Sequence, residues 1–96
     1  MKVKIICSEG DLACDLEQNE AQVVFNRVTG KSNEALPESI LNRFGDRVSA
    51  VPGLKQDGRL SYAVFREIDG DHQKVKSFSD LGPDDSVLLM PPVVGG

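Results

Sequence analysis

The chain has few of the residues that build catalytic and metal centres. Its 96 residues include two cysteines, one histidine and no tryptophan. Cys7 and Cys14 supply neither a disulfide framework nor a zinc cluster, and the single imidazole, His72, stands beside a turn. The "GKS" of residues 30–32 lacks the upstream glycine of a phosphate-binding loop. The sequence therefore predicts no metal site and no bound cofactor.

Long apolar runs and an excess of positive charge are also missing. No segment approaches the roughly 18 apolar residues of a membrane span, and "MKVKIICSEGD" turns polar before a signal-peptide hydrophobic region could form. The net charge of −4 opposes binding to a phosphate backbone. We therefore expect a cytoplasmic protein that binds neither membranes nor nucleic acid. Such acidity suits partners with basic or apolar grooves, or serves solubility alone.

The first half of the chain is predicted to contain two strands and one main helix. Alternation in "KVKIICS" places Val3, Ile5 and Cys7 on one side of a first strand, and a polar loop follows. β-Branched and aromatic residues predict a second strand over residues 22–28. The spacing of the apolar residues in "EALPESILNRFG" predicts an amphipathic helix that begins within residues 34–36 and ends at Gly45.

The second half is predicted to be mainly β. Residues 46–59 are predicted to form a loop, and "LSYAVFREI" predicts a third strand that ends at the hairpin turn Asp69-Gly70-Asp71. "KVKSF" predicts a short strand, and "SVLLM" a last one that the following prolines end. The order β-β-α-β-(β)-β predicts a single α+β domain over residues 1–96. It matches a β-grasp (ubiquitin-like) fold, a mixed sheet of four to five strands with one main helix, although the order alone also allows other small α+β folds.

The last strand is apolar on both sides, which predicts that both faces of the sheet make apolar contacts. Val87 and Leu89 share one side of this strand, and the helix can cover only one face of a sheet. The face left open is predicted to present Leu88, Met90, Ile6 and Phe65. Contiguous exposed apolar surface on a small protein typically marks a docking site. The alternative is that the loop of residues 46–59 folds over this face.

Residues 91–96, "PPVVGG", are predicted to form an extended tail beside that face. Pro91 and Pro92 fix two φ angles and favour a polyproline-like exit. The four residues after them span roughly 13 Å at about 3.3 Å per residue. Glycines 95 and 96 carry no Cβ, so the backbone can pass through a narrow channel and present its carboxylate. Such a tail can enter a partner's active site while the open face docks outside.

The segment "DLGPDDSVLLMPPVVGG" resembles the C-terminal end of the ubiquitin-like sulfur carriers. It is most similar to the small subunit of molybdopterin synthase, whose members end in Pro-Pro-Val-x-Gly-Gly. Pro91, Pro92, Val93, Gly95 and Gly96 satisfy that signature. The first strand, the helix and "GRLSYAVFREI" align with the family in order, so the resemblance covers most of the chain. Its specific motif lies in residues 80–96.

The resemblance implies a chemistry centred on the Gly96 carboxylate. A partner adenylating enzyme would use ATP to form an acyl-adenylate, and a sulfur donor such as a cysteine desulfurase or a rhodanese would leave a thiocarboxylate on Gly96. Gly95 and the partner-binding residues Pro91, Pro92, Val93 and Val94 would then enter the larger molybdopterin synthase subunit, where the sulfur passes to a pterin precursor. The chain would be a carrier, and catalysis would depend on its partners.

Three other functions remain open at this point. A carrier for thiamine, cysteine or tRNA thiolation would use the same terminal chemistry with another acceptor. A ubiquitin-like modifier would join Gly96 to a lysine. An interaction module would use the glycines as a flexible end, although valines and prolines before them are unusual for a disordered tip.

Overall fold

The computed structural model describes residues 1–92, which form a mixed five-stranded sheet and two α-helices. In chain order the elements are β1 (Lys2–Ile5), β2 (Leu12–Asp15), α1 (Gln18–Val28), α2 (Glu38–Phe44), β3 (Ala63–Ile68), β4 (Asp71–Lys74) and β5 (Ser86–Met90). Short 3₁₀ turns cover Asp46–Ala50, Pro52–Leu54 and Phe78–Asp80. The prediction of an α+β chain with a mixed sheet is confirmed.

The first and last strands are neighbours in the middle of the sheet. The strand order is β2-β1-β5-β3-β4, and β1 and β5 are parallel, whereas the other three pairs are antiparallel. Two hairpins, β1–β2 and β3–β4, therefore flank the central strand β5, which is the last strand in the sequence. Because β5 is central, its end at Met90 leads the chain from the middle of the sheet into Pro91.

Residues 22–28 correct the sequence prediction, because they form most of α1 and not a strand. The β-branched residues favoured a strand, but Ala21, Val24, Phe25 and Val28 follow a helical spacing, and all four side chains are buried. A capping box between Glu17 and residue 20 marks the helix start. Periodicity therefore outweighed β propensity, since a helix at this place buries one continuous apolar stripe.

Two further boundaries differ from the prediction. The polar segment before α1 contains β2, in which Leu12 pairs with Ile5, so this part of the chain is an edge strand and not a loop. The predicted helix is α2, the shorter of the two, and it begins at Glu38 because Pro37 occupies the N-cap position. Its end at Gly45 is confirmed, with φ +81° at that glycine.

The core lies between one face of the sheet and the two helices. Residues 46–59 belong to this side, because Val48, Val51 and Leu54 are buried in the same apolar cluster as the helices. The alternative that this segment folds over the opposite face is therefore wrong. The sheet contributes its alternate residues to the core, namely Val3, Ile5, Leu12, Val64, Val87 and Leu89.

The β3–β4 hairpin forms where it was predicted. Ile68 pairs with Asp71, and the two residues between them, Asp69 and Gly70, both have positive φ values of 50° and 85°. This is the backbone that a two-residue hairpin turn requires. β4 begins directly after the turn and ends at Lys74, earlier than the predicted "KVKSF" strand.

Candidate functional site

The sheet face opposite the core, called the open face below, carries an apolar row next to the tail. Ile6 follows β1 and donates its backbone N–H to the Leu89 carbonyl at 3.0 Å, which continues the β1–β5 pairing by one residue. Ile6 therefore lies beside Met90, and Met90 pairs with Ala63 on the other side. These three side chains are uncharged, and Met90 is the last residue before Pro91.

The second row of the open face contains an apolar pair with a lysine on each side of it. The strand register aligns Ala13, Lys4, Leu88, Phe65 and Lys74 across all five strands. Leu88 is 8% exposed, although it lies outside the core cluster, so its cover comes from neighbours on this face. The half-buried Lys4 pairs with it and contributes an aliphatic stem.

The third row lies farthest from the tail and is polar throughout. The register aligns Asp15, Lys2, Ser86, Glu67 and His72. One carboxylate in this row is already paired, because Asp15 Oδ1 lies 3.3 Å from the N-terminal ammonium group. Along β5 the open face therefore changes from charged to apolar as it approaches the tail.

The four residues predicted for docking share this face but are not equally accessible. Met90 is 38% exposed and Ile6 and Phe65 are half-buried, whereas Leu88 is buried beneath its neighbours. The accessible apolar surface is consequently concentrated in the row beside the tail. Leu88 is buried beneath this surface and exposes only 8% of its own area.

The root of the tail borders a groove on the β1 side. A cavity of about 570 Å³ is lined by Pro91 and Pro92, by residues 6–9 after β1, and by Ala50, Val51, Gly53, Leu60 and Tyr62. Pro91 is half-buried and Pro92 is exposed. The predicted tail residues Val93, Val94, Gly95 and Gly96 lie outside the described residues, so their roles stay predictions.

The titratable side chains that resemble nucleophiles or bases do not converge. Cys14 lies on edge strand β2 and His72 on the opposite edge strand β4, roughly 19 Å apart at about 4.8 Å per strand. Burial, to which the carboxylates of Asp15 and Glu20 add and which Arg43 opposes, raises the pKa of the Cys14 thiol to about 11. Cys14 is thus a protonated thiol at neutral pH and a weak nucleophile.

Other chemistry is not assembled in the described part of the chain. Residues 1–92 contain no group of three or more histidine, cysteine, aspartate or glutamate side chains that could hold a metal ion. Cys7 and Tyr62 line the groove at the tail root. Burial raises the pKa of Tyr62, with Cys7 adding to the rise and Arg27 opposing it, so this hydroxyl stays protonated.

Arg27 was not singled out by the sequence, yet it organises the segment next to this groove. Its side chain is 1% exposed, and its guanidinium donates to the carbonyls of Gly53 at 2.8 Å, Gln56 at 2.7 Å and Gly58. Gly53 itself lines the groove. These three carbonyls lie 26 to 31 residues after Arg27 in the chain. The only signal of this role in the local sequence was an arginine next to the apolar stripe of α1.

The chain was compared with protein-family models, curated proteins and solved structures. None of them matches. Within residues 1–92 no helix is both long enough and apolar enough to cross a bilayer.

Proposed function

We propose that this protein is a sulfur carrier of the β-grasp class that acts as the small subunit of a molybdopterin synthase. The mixed five-stranded sheet with helices on one face is compatible with that fold. The observation that carries the proposal is the course of β5, which runs through the centre of the sheet. It ends in an exposed methionine on the open face and continues directly into Pro91-Pro92.

This arrangement suits a protein that delivers its terminus to another protein. The accessible apolar row and the tail root are adjacent, so one partner can contact both. The prolines reduce the conformational entropy lost when the tail becomes ordered on insertion. Cys7, Cys14 and Tyr62 offer no competing catalytic arrangement in the described residues, which is consistent with a carrier.

The proposed chemistry takes place on Gly96, which must carry the free carboxylate. A carboxylate is a poor electrophile at neutral pH, so a partner adenylating enzyme first converts it with ATP to an acyl-adenylate and releases pyrophosphate. The persulfide of a donor such as a cysteine desulfurase or a rhodanese then attacks the acyl carbon and expels AMP, which leaves an acyl disulfide. A second thiol reduces this disulfide, so that the thiocarboxylate is released and the donor is left in a disulfide. The thiocarboxylate enters the larger synthase subunit, where its sulfur forms a bond to the pterin precursor, and water then cleaves the acyl–sulfur bond and returns Gly96 to a carboxylate.

Mass spectrometry of the C-terminal peptide tests this proposal directly. The protein is purified from its own cells without reducing or alkylating agents and digested with trypsin, which releases residues 77–96 as one peptide without cysteine. A sulfur carrier yields a fraction in which one oxygen of the terminal carboxylate is replaced by sulfur. Oxidation of Met90 changes the mass almost equally, so the shift must appear in fragment ions that contain residues 91–96 and not Met90.

The outcomes of this measurement separate the competing functions. A plain carboxylate throughout would overturn the carrier proposal, and conjugates joined to lysine would establish a protein modifier. Loaded protein that transfers sulfur to a cyclic pterin precursor in the presence of the larger synthase subunit supports the molybdopterin pathway. Loaded protein that does not transfer would assign the carrier to another sulfur pathway.

A further inference from the structure

We infer that the open face docks a protein surface whose apolar ridge is flanked on both sides by carboxylates. This inference rests on the proposed function and specifies the partner surface that the carrier needs. It starts from the row in which Lys4 and Lys74 stand at either end of Leu88 and Phe65. Lys4 lies on β1 and Lys74 on β4, which are separated by three inter-strand distances. At about 4.8 Å for each of these distances, the backbones of the two lysines are roughly 14 Å apart.

Charge is distributed unevenly between the open face and the rest of the protein. The strand residues of the open face include three lysines, Lys2, Lys4 and Lys74, and two carboxylates, whereas the whole chain has a net charge of −4. Both carboxylates belong to the row farthest from the tail. Within the strands, the charged residues nearest to the apolar surface are therefore the lysines Lys4 and Lys74, on a molecule that is negative elsewhere.

The two lysines are available to a partner. Within residues 1–92 neither Lys4 nor Lys74 forms an ion pair with a carboxylate. Lys4 is half-buried, and its stem helps to cover Leu88 while the ammonium group can reach the rim. Lys74 is exposed on the edge strand β4.

Complementary charge at the rim directs the orientation of binding. An acidic partner surface is repelled by most of this protein and attracted by the open face, so the productive encounter is favoured. Apolar contact with Met90, Ile6 and Phe65 then supplies the affinity at the centre of the interface. In this orientation the tail, which begins directly after Met90, is carried to the same partner.

The test compares two double charge reversals in the full-length protein, Lys4→Glu/Lys74→Glu and Lys31→Glu/Lys55→Glu. Both variants have the same net charge, but Lys31 and Lys55 lie outside the strands of the open face and are exposed. Binding to the purified larger molybdopterin synthase subunit of the same organism is measured by surface plasmon resonance at low and high salt. Thermal unfolding verifies that the variants are folded, and Lys4→Gln/Lys74→Gln replaces the first variant if it is not.

We expect Lys4→Glu/Lys74→Glu to weaken binding by at least roughly tenfold at low salt, mainly through the association rate, and the difference to shrink in high salt. The control pair should retain most of the wild-type association rate. Equal losses in the two variants, no binding by the wild type, or a wild-type dimer that Lys4→Glu/Lys74→Glu dissociates would each overturn the inference. If wild-type protein carries a thiocarboxylate in those cases, the sulfur-carrier part of the proposed function survives; if it carries none, that function fails independently.

Discussion

At the residue scale, Arg27 shows how one buried charge can hold a long segment in place. The two terminal nitrogens of its guanidinium donate hydrogen bonds to backbone carbonyls, and no carboxylate is among their described partners. The third nitrogen, Nε, has no hydrogen-bond partner among residues 1–92. Backbone carbonyls alone therefore offset the desolvation of the guanidinium. The result is a fixed connection between α1 and the segment that borders the tail-root groove.

Replacing Arg27 by methionine is expected to destabilise the protein by about 2–4 kcal/mol, because several charge-assisted hydrogen bonds are lost together. The loss is measured by urea unfolding. Arg59→Met is the control, since Arg59 is an exposed arginine of the same segment, and its effect should stay within about 0.5 kcal/mol. Equal effects of the two substitutions would show that the bonds of Arg27 contribute no net stability.

The thiol of Cys14 gives a prediction on pH dependence. In a Cys7→Ser variant, Cys14 is the remaining thiol, and its reaction with iodoacetamide should rise with pH up to about 11 in the native protein. At pH 8 the native rate should lie roughly 100-fold below the rate in urea, where the ordinary thiol pKa applies. Because the folded thiol keeps its proton where the unfolded thiol ionises, its contribution to stability falls as the pH rises above about 9. Equal native and unfolded rates would contradict the raised pKa.

At the scale of elements, the β3–β4 hairpin depends on a turn with two positive φ angles. Gly70→Ala should cost about 1–2 kcal/mol in unfolding free energy, because an ideal Cβ there meets open space and the cost is purely one of backbone conformation. Thermal unfolding measures this loss. Gly82→Ala serves as the matched control, since its Cβ would meet Asp85 Oδ2 at an ordinary 3.8 Å and it lacks a positive φ. If both variants were equally stable, the turn geometry would not limit the hairpin.

Strand β5 supplies a second prediction at this scale. Met90 and Val23 are the exposed large apolar residues of the described chain, one on the open face and one on α1. Met90→Asp should weaken binding to the larger synthase subunit by roughly tenfold or more, because it places a charge within apolar contact. Val23→Asp should leave that affinity unchanged. Isothermal titration calorimetry with both variants checks the difference, and comparable losses would remove the open face from the proposed interface.

At the scale of the whole molecule, the fold and the terminal chemistry are predicted to be separable. Deleting Gly96 removes a residue without a side chain, so the unfolding free energy should change by less than about 0.5 kcal/mol. Sulfur loading should nevertheless be abolished, because the carboxylate would then stand on Gly95 and no longer reach the activating site. Unfolding curves and intact mass of the same preparation measure both quantities. A deleted protein that still acquired a thiocarboxylate would refute the assignment to Gly96.

Sequence alone predicted the features that depend on neighbouring residues. The hairpin at Asp69-Gly70 followed from local turn chemistry, and strand β5 from the run "SVLLM" between a turn-rich segment and two prolines. The end of α2 at Gly45 followed from the conformational freedom of glycine. The helical structure of residues 22–28 was also encoded locally, in the helical spacing of their apolar side chains, but the β propensity of the same residues favoured a strand. The terminal Pro-Pro-Val-x-Gly-Gly motif remains a sequence argument.

Tertiary structure alone decided which residues became neighbours. Lys4, Leu88, Phe65 and Lys74 come from four strands spread over the chain, and their common row exists only after β5 inserts between β1 and β3. Three of the four carbonyl partners of Arg27 likewise lie 26 to 31 residues later in the chain. Strand pairing is non-local, and its register assigns every side chain to one face or the other. The sequence by itself thus determined the turns and the terminal motif, whereas the register of the folded sheet decided that apolar surface and positive charge meet beside the tail.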